Sequence, residues 1–583
     1  MDKKGKIFFY ALVTFVGLYF FLNTFGAYTL LRQEDVQIFL PVWSVLSEKM
    51  LSPGGCCEII GKFLVQYYTS PLWTCILLSS LITSIGVFVY LLFERYASRH
   101  CNFLLSLFPV MVLAKAHCSP FFVVDGTIGM FFVLLFLYIY SRINHILYIW
   151  LSTLLVYGLC GQLVILYGLL LFFYVLLTGS SQWPHSLCST ILALGFTYFS
   201  IRWTICVPLT DGIYSLSYQE TQLQPDSYLY YVTIRFCFLL LVLFVIAFLL
   251  NKIPTRLKVL LVGINIIIAL VLGVFTYLQL PDKEEIKNNE MEELYYLAKQ
   301  RDWESILQKY ETKQPTNYVQ LNYISLALAY QGTLGDKLFH YNPRGPQSLL
   351  LNWDRRYHTS VLLSDIHWAV GDISLSESYA MEGLTLAKRG GSARMMQRIV
   401  QISLLRQEWG LARKYLAILH QLPVHRSWAD KYMNYLNEPN KIKQNLKLGN
   451  YTLPKQSNKL FSLLTMDEIW SEHLKQEQPN PIAINYVGCS YLLSKKIDKF
   501  ASFLDLTSKY HQTHLPKHFQ EALLILATNQ PNLLEKYPVD NNTLQSFRQF
   551  QEDISKVPRN EQGLMQLQRR FGNTYWFYYY CKN

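Results

Sequence analysis

The 583 residues are 51% hydrophobic and 15% aromatic but only 16% charged, with a formal net charge of +12. Soluble globular chains are nearer a quarter charged, so this composition excludes disordered, collagen-like and coiled-coil proteins and argues against one soluble domain. The charge is unevenly spread. Residues 1–280 hold 15 Lys/Arg and 10 Asp/Glu, about 9% of that stretch, whereas residues 281–583 hold 37 and 30, about 22%.

A helix needs about 20 mostly apolar residues to cross a bilayer. Runs of this kind occupy 7–31, 72–93, 103–114, 121–140, 146–160, 163–177, 187–207, 228–250 and 257–280, the third, fifth and sixth being short. They are continuous rather than alternating, which excludes a barrel and predicts about nine transmembrane helices, or eight if a short one is re-entrant. With the N-terminus inside, the inner loops carry nine Lys/Arg (Lys3, Lys4, Lys6, Arg95, Arg99, Arg142, Lys252, Arg256, Lys258). The outer loops carry four (Arg32, Lys49, Lys62, Lys115). That bias matches the positive-inside rule, and nine spans put the tail outside; eight would put it in the cytoplasm. The first run is too long for a cleaved signal and reads as an anchor. The bilayer is therefore the first expected partner.

The first outer loop, residues 32–71, is long for a connector. Segments 36–45 and 46–50 read as amphipathic interfacial pieces, Pro53-Gly54-Gly55 as a forced turn, and 61–68 as a short aromatic helix. Glu34-Asp35 opens the loop. Polytopic glycosyltransferases that use lipid-linked sugars place a catalytic base in this loop, and Asp35, with Glu34 as second choice, resembles that placement. An acidic pair at a membrane surface is more often a solvated cap of the next helix. Lys115, His117, Asp125, Asp211, Glu220 and Asp226 are predicted on the same outer face, with Arg202 and Arg235 in the outer thirds of their spans. Charges at membrane depth pair or line polar cavities. The two arginines suit a lipid phosphate, since guanidinium meets phosphate bidentately; snorkelling to headgroups, or pairing with Asp211 or Asp125, is the plainer reading.

Beyond the polar junction PDKEEIKNNE (281–290), helical segments of 12–18 residues alternate with short turns. Residues 318–339, 367–387, 403–423 and, more weakly, 485–504 resemble tetratricopeptide repeats. Leu326, Ala327, Ala329, Tyr330, Gly332, Gly335 and Asp336 sit at that family's small and aromatic positions, as do Gly410, Ala412, Tyr415, Leu416 and Pro423. Stacked helix pairs of this kind form an α-solenoid with a concave face suited to a protein partner, unless that face packs on the membrane domain. The expected class is thus all-α: a polytopic transmembrane domain (1–280) followed by a soluble helical-repeat domain (281–583).

Nine of the eleven cysteines precede residue 281, mostly within spans, where Cys acts as a small apolar group rather than a disulfide framework. His511, His514 and His518 (H-x2-H-x3-H) have zinc-like spacing, but Pro516 interrupts the helix and no carboxylate or Cys is read as completing the set nearby, so surface histidines are expected and no metal. No phosphate loop, zinc-protease or nucleophile-elbow motif occurs, so no cofactor is expected. The positive charge forms no basic block with interleaved aromatics, which excludes nucleic acid as a partner. The C-terminal RRFGNTYWFYYYCKN (569–583) is aromatic enough that it should dock, into the solenoid core rather than the membrane interface.

Three stretches together resemble one family: FLPVWSVLSEKMLSPGGCCEIIGKFLVQYYTSP (39–71), the nine-run layout, and FGNTYWFYY (571–579). They are similar to a bacterial family of polytopic membrane proteins of unknown function with a helical tail. The resemblance implies a bacterial inner membrane and carries over no functional residue.

Overall fold

The computed structural model describes residues 3–96, 101–205, 232–254, 258–387, 389–444, 474, 480–510, 515–558 and 560–582. Asp211, Glu220, Asp226, His511, His514, Arg99 and Arg256 lie outside the described residues. Every regular element among the described residues is a helix. The chain forms two compact units, one of residues 1–293 with 421–425, the other of 294–420 with 426–583.

In the first unit, α1 (Lys3–Phe25) ends at Gly26 and a short α2 (Ala27–Asp35) follows. The segment between the first two long apolar runs folds as α3 (Trp43–Leu51) and α4 (Gly55–Val65), the second helix starting earlier than its aromatic pattern suggests. Then come α5 (Pro71–Tyr96), α6 (Cys101–Leu105), α7 (Leu107–Ala116), α8 (Val124–Ile143), α9 (Ile146–Cys160), α10 (Val164–Thr178) and α11 (Trp183–Phe199). The helices Val232–Asn251 and Lys258–Leu278 complete the apolar set. Among the described residues, six helical stretches are long and apolar enough to span a membrane: 4–25, 71–95, 124–143, 146–178, 232–250 and 259–278. The 146–178 stretch is folded back on itself. Gln182 Nε2 donates to the Asn144 carbonyl at 3.0 Å, so its two ends meet. Ser152 Oγ lies 2.6 Å from Tyr167 Oη across the pair. The fold-back comes at Gly161, whose φ of +59° favours glycine.

That turn receives the Pro53-Gly54-Gly55 segment. Gly54 has φ +83° and its N–H donates to the Gly158 carbonyl at 3.2 Å. A Cβ on Gly161 would sit 3.0 Å from the Pro53 backbone, so only glycine permits this approach. One turn on, the Cys57 thiol is hydrogen-bonded with Cys160 and buried, and both effects push its ionisation up. It behaves as packing rather than as a reactive thiol.

In the second unit one hairpin recurs. A helix closes on a residue in the left-handed region, and the next helix opens two residues later on a large apolar side chain. The closing residues are Arg301, Gly332, Gly371, Gln407 and Lys495, with φ between +55° and +95°. The opening residues are Trp303, Leu334, Ile373, Trp409 and Ile497. Asp302 and Asp372 cap their helices by accepting from Ser305 N and Leu375 N. The paired helices run antiparallel: Ser364 and Ser376 exchange hydroxyl-to-carbonyl bonds of 2.8 and 2.9 Å across the Gly371 turn.

The aromatic C-terminus is docked in the core of this unit. Tyr575, Trp576, Phe577 and Tyr578 are buried. Tyr575 N donates to Glu521 Oε2 at 2.6 Å, and Tyr578 Oη donates to the Leu493 carbonyl at 2.8 Å. Glu521 corrects the expectation of surface histidines, because His518 is buried and its Nδ1 lies 2.8 Å from Glu521 Oε2. The i, i+3 spacing turns both side chains into the same core. No metal-holding cluster occurs among the described residues.

Candidate functional site

Of the ionisable residues that the sequence gathers on one face of the apolar unit, Glu34, Asp35, Lys115, His117 and Asp125 are buried, whereas Arg202 and Arg235 are exposed. The buried ones lie among polar contacts. Asn289 Oδ1 accepts from Tyr28 N and Thr29 N, both at 3.1 Å, and so caps α2. Arg32 Nη1 donates to the Pro120 carbonyl at 2.9 Å and faces Glu292 at 3.8 Å, while Gln33 Nε2 donates to the Phe122 carbonyl at 2.8 Å. Lys115 pairs with Glu285. Glu285 also accepts from Asp282 N, and Asp282 accepts from Glu285 N, a reciprocal capping box. His117 Nε2 lies 2.8 Å from Thr127 Oγ1, and burial pushes its pKa down to about 3.

Glu34 and Asp35 close α2, and both are buried, Asp35 at 3% exposure. They are therefore not a solvated cap. His425, in the 421–425 segment of the same unit, brings Nε2 to 2.9 Å from Glu34 Oε1. Arg202 is exposed in a π-helical segment, Ser200–Ile205, that continues α11. Arg235 is exposed in the first turn of Val232–Asn251. Val232 itself is buried with Ala116 and Phe122, so the start of the Arg235 helix adjoins the loop that Gln33 binds.

A second candidate site, which sequence reasoning missed, lies wholly within the second unit. It is a cavity of about 150 Å³ lined mostly by the first helices of successive hairpins, with Arg301 from a turn and Trp303 from the second helix of its hairpin. Arg394 and Arg398 are one turn apart on Ala393–Leu405 and face the cavity with Gln401. Asp365, from the middle of Tyr357–Val370, takes Arg394 Nη2 at 2.6 Å and Arg398 Nη2 at 2.7 Å. Each guanidinium also lies over a ring: Arg394 over Tyr295 at 4.3 Å and Arg398 over Trp368 at 4.4 Å. Lys299 and Arg301 add two cations to the lining. Two aromatic pairs flank it, Trp303 stacked on Tyr330 at 4.5 Å and Trp428 on Tyr432 at 3.9 Å. Four cations thus face one carboxylate. The available signal was Asp365 inside an otherwise apolar helix, SVLLSDIHWAV, together with the i, i+4 arginines of RMMQR.

The profile of a family described as a family of unknown function (DUF6057) matches residues 3–582, and the chain belongs to that family. No curated protein and no solved structure matches it.

Proposed function

We propose that this member of the family of unknown function is a bacterial inner-membrane protein of nine spans whose outward tetratricopeptide-like tail holds a protein partner. The observation that carries the reading is the cavity in the tail, where held arginines and aromatic rings come together from successive hairpins. Repeat stacks use such faces for segments of other chains. The recurring left-handed closure followed by an apolar opener supports a repeat architecture. The fold-back at Gly161 supports counting α9 and α10 separately, and the paired short run 101–116 supports a further crossing.

A photo-crosslinking side chain at Gln397, a cavity-lining position, should give discrete protein adducts in intact cells. They should vanish when Arg394 and Arg398 are both replaced by Gln in chains that still fold. Reporter fusions at residue 290 should read as outside the cytoplasm. Adducts unchanged by the arginine replacements, or a cytoplasmic readout, would overturn the reading.

A second reading, an outward-facing glycosyltransferase acting on a lipid-linked sugar, draws support from Asp35. That side chain is buried in α2, and α2 bonds the loop beside the Arg235 helix. Asp35 would act as base, Glu34 as its alternate, and Arg202 and Arg235 would hold phosphate. Full complementation by Asp35→Asn would reject it.

A further inference from the structure

We infer that residues 43–65 form a re-entrant hairpin that dips into one leaflet of the bilayer and turns among its acyl chains. The bare side of α3 and α4 is thus a surface for lipid. The inference rests on the apolar unit lying in a membrane and is independent of any partner held by the tail.

Depth comes first. α8 has 20 residues, about 30 Å of helix, which matches the hydrocarbon core. Its start at Val124 marks one boundary of that core. A Cβ built on Gly61 would meet Asp125, and one built on Gly129 would lie 3.7 Å from Cys57 Sγ. α4 therefore runs antiparallel to the first turns of α8. Gly129 lies about 7 Å inside the boundary at 1.5 Å per residue, and the Pro53-Gly54 turn is about 5 Å deeper than Cys57.

α9 and α10 reach this level from the opposite side. Each has 15 residues, about 22 Å of helix, less than the core requires. Their far ends meet at Asn144, just past the end of α8, and their bend at Gly161 meets the backbone of Pro53. The two hairpins together fill the depth that α8 covers alone.

The turn is built for that depth. In hydrocarbon every backbone N–H must be met by protein. Pro53 has none. Ser52 N donates to the Lys49 carbonyl at 3.1 Å, Gly54 N to the Gly158 carbonyl at 3.2 Å and Gly55 N to the Ser52 carbonyl at 3.0 Å. The Ser52 hydroxyl also donates to the Lys49 carbonyl, at 2.7 Å.

The side chains are graded along the hairpin. No residue of α3 is buried. At the closed end Met50 and Leu51 are bare, Leu51 at 87% exposure. At the open end Trp43 is exposed, and Phe63 packs edge-on with Phe39 and Tyr67 at 5.6 and 5.5 Å. Aliphatic residues deep and aromatic ones shallow is the order of a membrane interface. Between them, Lys49 and Lys62 take the two oxygens of Glu58 at 3.1 and 3.0 Å. Charges at membrane depth persist when paired in this way. Glu48 lies on the headgroup side of Leu51 along α3.

The test uses the full chain reconstituted in phosphatidylcholine vesicles. A nitroxide amino acid replaces Leu51, Trp43, Ile267 or Met565 in separate chains, each checked against the parent by melting. Ile267 is exposed midway along Lys258–Leu278 and reports whether the apolar unit lies in lipid. Met565 is exposed in the second unit and serves as the aqueous reference. Depth is read from collisions with oxygen, which concentrates in hydrocarbon, and with a water-soluble nickel chelate. Relative to position 565, position 51 should favour oxygen several-fold, and position 43 should fall between the two. Chelate access at 51 with oxygen preference at 267 would overturn the hairpin and leave the membrane reading intact. A label at 51 that neither reagent reaches would mean that protein covers it, and would overturn the inference as well. Chelate access at 267 would overturn the membrane reading itself.

Discussion

Replacing Lys115 with Met removes the cation that faces Glu285, in a place where each side chain is only 9% exposed. A buried ion pair broken on one side costs about 3–5 kcal/mol, because a charge is left without compensation. Here the loss should fall near the lower end, about 3 kcal/mol, for two structural reasons. Glu285 keeps the Asp282 N–H at 2.9 Å. Burial already raises its ionisation above the ordinary 4.5 despite Lys115, so protonation offers partial relief. The double variant Lys115→Met/Glu285→Gln keeps the acceptor for Asp282 and leaves no charge, so it should return to within about 1 kcal/mol of the parent. The coupling between the two sites is then at least about 2 kcal/mol, larger by whatever Glu285→Gln costs alone, and a double-mutant cycle isolates it. The pH dependence has a defined sign. A carboxyl whose folded-state pKa is raised binds protons more readily in the folded than in the unfolded state. Its contribution therefore improves as pH falls from the raised range toward 4.5, and the change should be larger in Lys115→Met than in the parent. The assay is reversible unfolding in mixed micelles, followed by circular dichroism at several pH values. Additive effects of the two single replacements, or a Lys115→Met variant indifferent to acid, would refute the reasoning.

Four further outcomes are expected. His117, whose pKa burial lowers from 6.5 to about 3, contributes stability that is complete above 6.5 and declines as pH falls toward 3, by up to about 1.4 kcal/mol per pH unit; His117→Asn should flatten that part of the melting profile. Gly61→Ala would bring a methyl to 2.0 Å from Asp125 Oδ1 and 2.9 Å from its Cγ, which should destabilise the apolar unit by about 1–3 kcal/mol in a detergent melt. Gln407 is exposed at φ +62°, so Gln407→Gly should raise the stability of the second unit by about 0.5 kcal/mol, read as a higher melting temperature. Deleting residues 575–583 removes four buried aromatic residues, each contributing about 1.5–3 kcal/mol, a total comparable with the whole stability of a domain; limited proteolysis should then degrade the second unit.

The sequence by itself determined the properties that depend on a short stretch of chain. Long apolar helices before residue 281 and polar helices after it follow from composition, since a helix satisfies its backbone internally whatever surrounds it. The Pro53-Gly54-Gly55 turn was legible because glycine alone readily takes φ +83°. The docked C-terminus was legible because so many adjacent aromatic rings are not left in water.

Tertiary structure decided what depends on which faces meet. Glu34 and Asp35 read as a solvated cap because nothing local shows that α2 packs against the 117–123 loop. His518 read as a surface residue because Glu521 matters only once both enter the core with Tyr575. The cavity is the clearest instance. Lys299, Trp303, Tyr330, Asp365, Arg398 and Trp428 come from separate helices, and the local signal, Asp365 and the i, i+4 arginines, does not tell which of those helices meet. Helix periodicity tells which residues share one face, but the partner of that face is set by turn geometry and side-chain packing between helices distant in sequence. A site made from several such faces exists only when the hairpins have stacked.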